Sequence, residues 1–196
     1  MNDTIQLDAL PGLQVRTLGP DDAGILAAYL ERNIPFHRRW SPVPPPGFFT
    51  EEAQRERLIR SAELRRDDRE YRFGVFSMQT PDAVSGGLIG TITLTNIVRG
   101  VFQNGCLGYS VDAAERNRGV TTGALRAVIR HAFDVLELHR LEANALPCNA
   151  ASRRVLLKCG FVHIGRAPRM LKINGVWEDH DMFMLLADDP FHAPRG

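Results

Sequence analysis

Cysteine is scarce in this chain. The three present, Cys106, Cys148 and Cys159, form no C-x-x-C pair and no ligand spacing with the six histidines. A disulfide framework and a zinc site are therefore not expected, and no metal ligand is assigned. No apolar run approaches the roughly 20 residues that a helix needs to cross a bilayer. The N-terminus, M-N-D-T-I-Q-L-D, lacks the basic and apolar regions of a secretory signal. The expectation is a cytoplasmic protein with reduced, semi-buried thiols. An excess of one charge is missing as well. The 24 Lys and Arg and 23 Asp and Glu leave a net charge of +1, which argues for neither nucleic acid nor membrane as a direct partner. Neither a Gly-Lys-Ser/Thr phosphate loop nor a G-x-G-x-x-G fingerprint occurs. Internal repeats and dividing linkers are absent too. What remains is one globular domain with enough apolar residues for a real core, 44% of the chain. Residues 1–12 read as a loose leader, 13–188 as the domain and 189–196 as a tail.

The informative stretch runs from Leu107 to Leu125. Cys106 to Asp112 is apolar, with Tyr109 and Val111 on one alternating face beside Leu107, and reads as a strand. A polar turn with Arg116, Arg118 and Gly119 follows. Leu125, Val128, Ile129, Ala132, Phe133 and Leu136 then recur at helical spacing, so a helix begins near Gly119. First-turn amides have no partners inside a helix, and the dipole adds positive charge there. The turn is thus a candidate phosphate or pyrophosphate site. A solvated basic turn is the other reading of the same residues.

Leu13 to Leu18 reads as a first strand, and Pro20-Asp21-Asp22 opens a helix with Ile25, Leu26, Tyr29 and Leu30 on one face. Ile34 to Phe49 carries Pro35, Pro42, Pro44, Pro45 and Pro46 and reads as an extended, stiff connection. Its aromatics are either core plugs or one wall of a cleft. Thr50-Glu51-Glu52 starts a helix to about Asp68 with Leu58, Ile59, Ala62 and Leu64 as its apolar stripe. Its arginines read most simply as a solvated face. Tyr71–Met78, Leu88–Leu94 and the strand ending at Asp112 make an antiparallel meander, with a turn through Pro81-Asp82 and Gly86-Gly87. His139–Leu146 is a further strand. Asn149 caps a short helix that stops at Gly160, and Phe161–Ala167 and Trp177–Leu186 are the last strands, with Asn174-Gly175 as a hairpin turn.

Strand, R-x-x-G-x turn, helix, strand, N-x-x-S helix and L-x-x-x-G-F in this order resemble the GNAT acyl-CoA N-acyltransferase superfamily. The nearer resemblance is to its RimJ/RimL branch of ribosomal-protein N-terminal acetyltransferases, and it covers about Leu13 to Leu186. It rests on Asn96-Ile97-Val98-Arg99-Gly100, Leu107-Gly108-Tyr109-Ser110, Arg153 to Phe161, and Leu171 to His180. It implies an α+β fold: a mixed, largely antiparallel twisted sheet of about seven strands, splayed at its centre, with about four flanking helices. It also implies acetyl-CoA as donor and a protein N-terminus, ribosomal and beginning with a small residue, as acceptor. The other acceptor class is a small-molecule amine. A non-catalytic acyl-CoA-binding module is the reading outside enzymology, and monomer and homodimer both stand.

By the same resemblance, Ser110, Val111 and Asp112 would offer backbone to the pantetheine arm. Arg116, Arg118, Gly119, Val120, Thr121, Thr122 and Gly123 would hold the pyrophosphate. Thr121 departs from the Gly or Ala usual at its position. Asn149 would reach the arm, and Ser152 the CoA sulfur. Phe36, Trp40, Phe49, Arg99, Tyr109, Asp179 and His180 are placed at the acceptor. Attack on a thioester needs a neutral amine, hence a base. Glu142 is the leading candidate beside Asp112, Glu115 and the Asp179/His180 pair. Cys159 is read as packing.

Overall fold

The computed structural model describes residues 5–78 and 87–188. Among them, eight strands form one sheet: β1 (Gln6–Asp8), β2 (Leu13–Thr17), β3 (Tyr71–Ser77), β4 (Leu88–Val98), β5 (Asn104–Val111), β6 (Arg140–Ala145), β7 (Val162–Ile173) and β8 (Val176–Leu186). Their order across the sheet is β1-β2-β3-β4-β5-β6-β8-β7, antiparallel throughout except for the β5–β6 pair. Five α-helices accompany them: α1 (Ala23–Arg32), α2 (Ile34–His37), α3 (Glu51–Arg66), α4 (Val120–Arg130) and α5 (Ala150–Lys158). The expected mixed, largely antiparallel sheet with flanking helices is the one found, one strand and one helix richer.

The helical stripe read from the sequence buries α4. Leu125, Val128, Ile129 and Ala132 pack with Phe73, Val75, Leu141 and Phe183 on one face of the sheet, joined by Leu156 of α5. On the opposite face Leu26 and Tyr29 of α1 and Leu58 of α3 pack with Phe76 and Leu88. The α3 stripe differs from expectation. Ile59 is exposed, and the buried positions are Gln54, Leu58 and Ser61, spaced i, i+4, i+7. The two polar residues are buried because each is bonded. Gln54 gives its amide to the Phe48 carbonyl, and Ser61 Oγ donates to Glu70 at 2.7 Å.

Three more readings are corrected. Gln6–Asp8 of the leader pairs with β2 as an edge strand. The segment from Ile34 is not extended at its start, because Pro35 lies in the first turn of α2, where a missing N–H costs nothing. A 3-10 turn, Arg38–Trp40, follows. The strand after α5 continues to Ile173, so β7 and β8 form a long hairpin closed by Asn174 and Gly175, both at positive φ. The Pro81-Asp82 and Gly86 part of the β3–β4 turn and the tail from 189 lie outside the described residues. Of the thiols, Cys159 is buried, Cys106 half-buried and Cys148 exposed.

The parallel pair is what shapes a site. β5 and β6 pair from Asn104↔Arg140 to Leu107↔Ala143 and then part. β5 runs on to Val111 held by β4, while β6 runs on to Ala145 held by β8. The far side of the opening is fixed by Asp181 of β8, which is 1% exposed. It accepts from Arg166 Nε of β7 at 2.8 Å and lies 3.2 Å from Arg153 Nε of α5. His163 stands 3.6 Å away. Asp181→Ala leaves these cations unpaired and detaches α5 from the hairpin. The expected loss is about 2 kcal/mol by urea unfolding, below the 3–5 kcal/mol typical of broken buried pairs, because both arginines keep water contact.

Candidate active site

Backbone phase decides which groups of β5 face the opening. In an antiparallel ladder, alternate residues direct both N–H and C=O to the same neighbour. Asp112 N–H donates to Ile89 O of β4 at 2.7 Å, so Ser110 and Gly108 also direct their main chain to β4. Tyr109 and Val111 direct theirs to the other side, where β6 has ended. Among the expected strand residues, Val111 is thus placed at the opening, with Tyr109 beside it. Ser110 and Asp112 have other tasks. Ser110 Oγ sits between Tyr29 Oη at 2.8 Å and Thr91 Oγ1 at 2.9 Å. The Asp112 carboxylate meets Arg32 Nε at 2.7 Å, Asn33 Nδ2 at 3.3 Å and the Ala114 N–H at 3.0 Å. Burial works to raise its pKa, but these donors outweigh burial and hold it below the usual carboxylate range. A carboxylate so committed is a cap, not a base.

Past Asp112 the chain turns into α4 through Gly119, the N-cap, at φ +79°. That conformation is strained for any side chain and free for glycine. It leaves the first-turn amides of Val120, Thr121 and Thr122 available to an anion. The Val120 side chain is buried in the core, so its amide alone is usable. Both arginines of the turn have partners. Arg116 donates to Ala113 O at 2.8 Å and lies 4.5 Å from the Phe36 ring centre, while Arg118 pairs with Glu115 at 2.9 Å. Gly123 has a packing role as well. A Cβ there would stand 2.5 Å from Leu10 Cγ, so this glycine admits the leader against α4. A cavity of about 200 Å³ lies beside the turn, lined by Leu10, Leu13, Ile89, Glu115, Arg118 and Val120.

The opening has two sides with different chemistry. On the α5 side, Asn149 Oδ1 accepts from Ser152 N–H at 3.1 Å, capping the helix, and Ser152 Oγ lies 2.9 Å from Tyr109 Oη. Tyr109 therefore faces Ser152 rather than the acceptor, and burial pushes its phenol well above its ordinary pKa. Cys159 is packed nearby, its thiol pushed up to about 11 by burial.

On the other side, Leu141, Ala143 and Ala145 turn into the core, so Glu142 and Asn144 face away from it, as do Cys106, Gly108 and Ser110 of β5. Met184 and Met182 stand opposite Glu142 and Asn144 in register, with His180 next along β8. Glu142 pairs with Arg140 at 2.9 Å. Burial, with the Glu142 charge adding to it, raises the Cys106 thiol. Among the described residues α1 reaches this patch only at Ser110, through Tyr29, while Glu142 and Asn144 are half-buried and Gly108 is exposed. One wall is the segment Phe36–Ser41, with Trp40 stacked against Arg39. The tip of the β7–β8 hairpin meets it, Asn174 N–H donating to Ser41 O at 3.1 Å.

Several expected acceptor contacts are placed elsewhere. Asp179 accepts the Arg169 N–H at 2.9 Å and so shapes the hairpin. His180 stays beside the patch on β8 but is buried, with Nδ1 3.1 Å from Glu178 O. Phe36 begins that wall but its ring lies against Arg116 of the basic turn, and Phe49 packs on Phe48. Arg99 is furthest from its assignment. It lies past Val98, at the end of β4 opposite Ser110, about 20 Å away by strand rise. There it binds Asp68 and the Leu136 carbonyl. The residues missed from sequence are Tyr29, Arg32, Asn33 and His37, the last with Nε2 2.9 Å from Val111 O. Their spacing on one helical face was the available signal.

The model of the acetyltransferase (GNAT) domain matches residues 13–162. The chain belongs to the GNAT acetyltransferases. It is 39% identical over 90% of its length to the Bacillus subtilis protein named Probable N-acetyltransferase YjcK, covering 95% of that protein. It is 33% identical to the ribosomal protein uS5-alanine N-acetyltransferase of Escherichia coli, over 90% of this chain and 89% of that one. The crystal structure of the ribosomal-protein-S5-alanine acetyltransferase of Vibrio fischeri superposes with a TM-score of 0.88 at 33% identity, covering 94% and 98% of the two chains. This GNAT chain is an acyl-CoA-dependent N-acetyltransferase with acetyl-CoA as donor, and solved neighbours of the fold carry CoA or acetyl-CoA. The donor set here fits that group: first-turn amides at Gly119 for phosphates, and outward Tyr109 and Val111 main chain for an amide-bearing arm. Replacing Gly119 by Val strains the αL cap by about 1–3 kcal/mol and crowds the amides. CoA dissociation measured by calorimetry should weaken about tenfold. An unchanged affinity removes this turn from the site.

Proposed function

We propose that this enzyme acetylates the N-terminal α-amine of a protein, a ribosomal protein with a small first residue being the leading candidate. The observation that carries the reading is the open sheet face beyond the β5–β6 parting, walled by Phe36–Ser41 and the hairpin tip. A chain end with a folded body behind it needs an open trough, whereas a small amine is better enclosed. The names of the Escherichia coli and Vibrio fischeri relatives support the same acceptor class. An α-amine also suits the chemistry. Its pKa of about 8 leaves a neutral fraction near pH 7 that a lysine at about 10.4 lacks.

Bound acetyl-CoA supplies the acyl thioester; the chain's own groups hold and discharge it. The amides of Val120, Thr121 and Thr122 would hold its phosphates. The outward main chain of Val111 and Tyr109 would hold its amide-bearing arm, and the Tyr109 N–H, nearer the parting at Leu107, would serve the developing oxyanion. Glu142, on the acceptor side, takes the amine proton, through a water where the reach is long. On the other side Ser152 Oγ, paired with the Tyr109 phenol, would donate to the leaving sulfur. Transfer is direct. Cys106 and Cys159 are held as thiols by burial, which leaves neither suited to carry an acyl group.

Peptides beginning with Ala, Ser, Thr and Met, set beside spermidine and an aminoglycoside, test the acceptor through CoA release. Faster release with Ala and Ser peptides is expected. Release with free amines alone keeps the chemistry and overturns the protein acceptor, and silence with acetyl-CoA bound favours a binding module. Ser152→Ala should lower kcat about tenfold to a hundredfold while CoA affinity stays within about twofold. Equal turnover moves the proton to another group.

A further inference from the structure

The C-terminal end of α1, Asn33 after it and the short α2 present Tyr29, Arg32, Asn33, Phe36 and His37, spaced i, i+3, i+4, i+7 and i+8. All five touch the segment 110–116. Tyr29 meets Ser110, Arg32 and Asn33 meet Asp112, and Asn33 Oδ1 accepts the Ala113 N–H at 2.9 Å. Phe36 lies under Arg116, and His37 Nε2 is 2.9 Å from the Val111 carbonyl. Four of these contacts hold side chains or the loop. The His37 contact alone reaches a main-chain group that the ladder phase aims into the opening.

A carbonyl oxygen only accepts, so Nε2 carries the proton and donates it. The ring is half-buried among Tyr29 and Phe36. The peptide unit Val111–Asp112 is then held at both ends, its oxygen by His37 and its N–H by Ile89 O. This is the last peptide of β5 before the chain leaves for the basic turn. Pinning it fixes the direction of the Val111 N–H, which belongs to the neighbouring peptide unit, and leaves that N–H and the carbonyl's second lone pair facing the opening.

We infer that His37 is a positioning residue for the donor: by its hydrogen bond to the Val111 carbonyl it holds the end of β5 in the form that receives the pantetheine arm of acetyl-CoA. The inference rests on acetyl-CoA lying along β5 and is independent of which amine is the acceptor. His37 belongs to an acceptor-side segment, yet its effect falls on the donor.

Titrating CoA into the wild-type chain, His37→Ala, His37→Leu and His37→Gln tests it. Glutamine places an N–H at nearly the reach of Nε2, whereas leucine fills space without one. Ala and Leu should weaken CoA about fivefold to tenfold, the scale of one lost hydrogen bond to a partly buried carbonyl. Gln should stay within about twofold of wild type. KM for the acceptor should not move. Unfolding midpoints of the four chains report any general loosening separately. Equal affinity in all four overturns the inference. So does equal weakening by Leu and Gln, which would make the role one of ring packing. A wild-type chain without CoA affinity would instead overturn the placement of the cofactor along β5, and the inference with it.

Discussion

The parting of β5 from β6 is the constraint on which everything else depends. A parallel pair that ends at Leu107↔Ala143 leaves strand-edge groups with no strand beside them. Such groups are costly when buried and unpaired, and at an exposed edge they invite another chain. Here the edge is put to use. Its outward N–H and C=O groups suit a ligand that carries amides of its own, and the α4 N-terminus stands where that ligand's phosphates would lie. Neither device is built from side chains, and only the αL cap at Gly119 demands a particular residue.

Keeping two strands apart requires bracing from both sides, and the bracing is polar. On the β5 side, one helical face of α1 and α2 supplies Tyr29, Arg32, Asn33 and His37. On the β6 side, Asp181 gathers cations from α5 and β7. Apolar packing alone would close the gap, because burial favours contact without regard to direction. Hydrogen bonds and ion pairs specify distance and angle, and so hold a shape that burial would collapse.

Much of this was legible in the sequence. The change from alternating to helical period between Val111 and Leu125 located the turn. Asn149 and Gly160 framed α5, whose end closes with Phe161 N–H on Leu156 O and Gly160 N–H on Leu157 O. The misreadings share a cause. Side-chain alternation put Tyr109 and Val111 on one face, but the phase of the backbone depends on which β4 residue lies opposite, and that is a long-range fact. Arg99 was assigned by its motif, while its partners, Asp68 and the Leu136 carbonyl, come from segments more than thirty residues away. Gln54 was invisible because a buried glutamine looks like a surface one until its partner, the Phe48 carbonyl, is known. β1 was too short to show a period.

The donor half and the acceptor half differ in what they ask of the sequence. Backbone amides, a glycine cap and a strand edge survive extensive substitution, so a donor site built from them needs few fixed residues in a chain 33–39% identical to the two relatives named above. The proposed acceptor half is built from side chains on the Phe36–Ser41 segment, the open faces of β6 and β8, and the hairpin tip. Of these, the contact between the hairpin and the loop is itself main chain to main chain, Asn174 N–H to Ser41 O. The frame of the trough therefore tolerates exchange of the residues that line it. On the proposed function, that combination would let one donor site serve different amines, and acceptor specificity would fall to Trp40, Glu142, Asn144, Met182 and their neighbours rather than to the groups proposed to hold CoA.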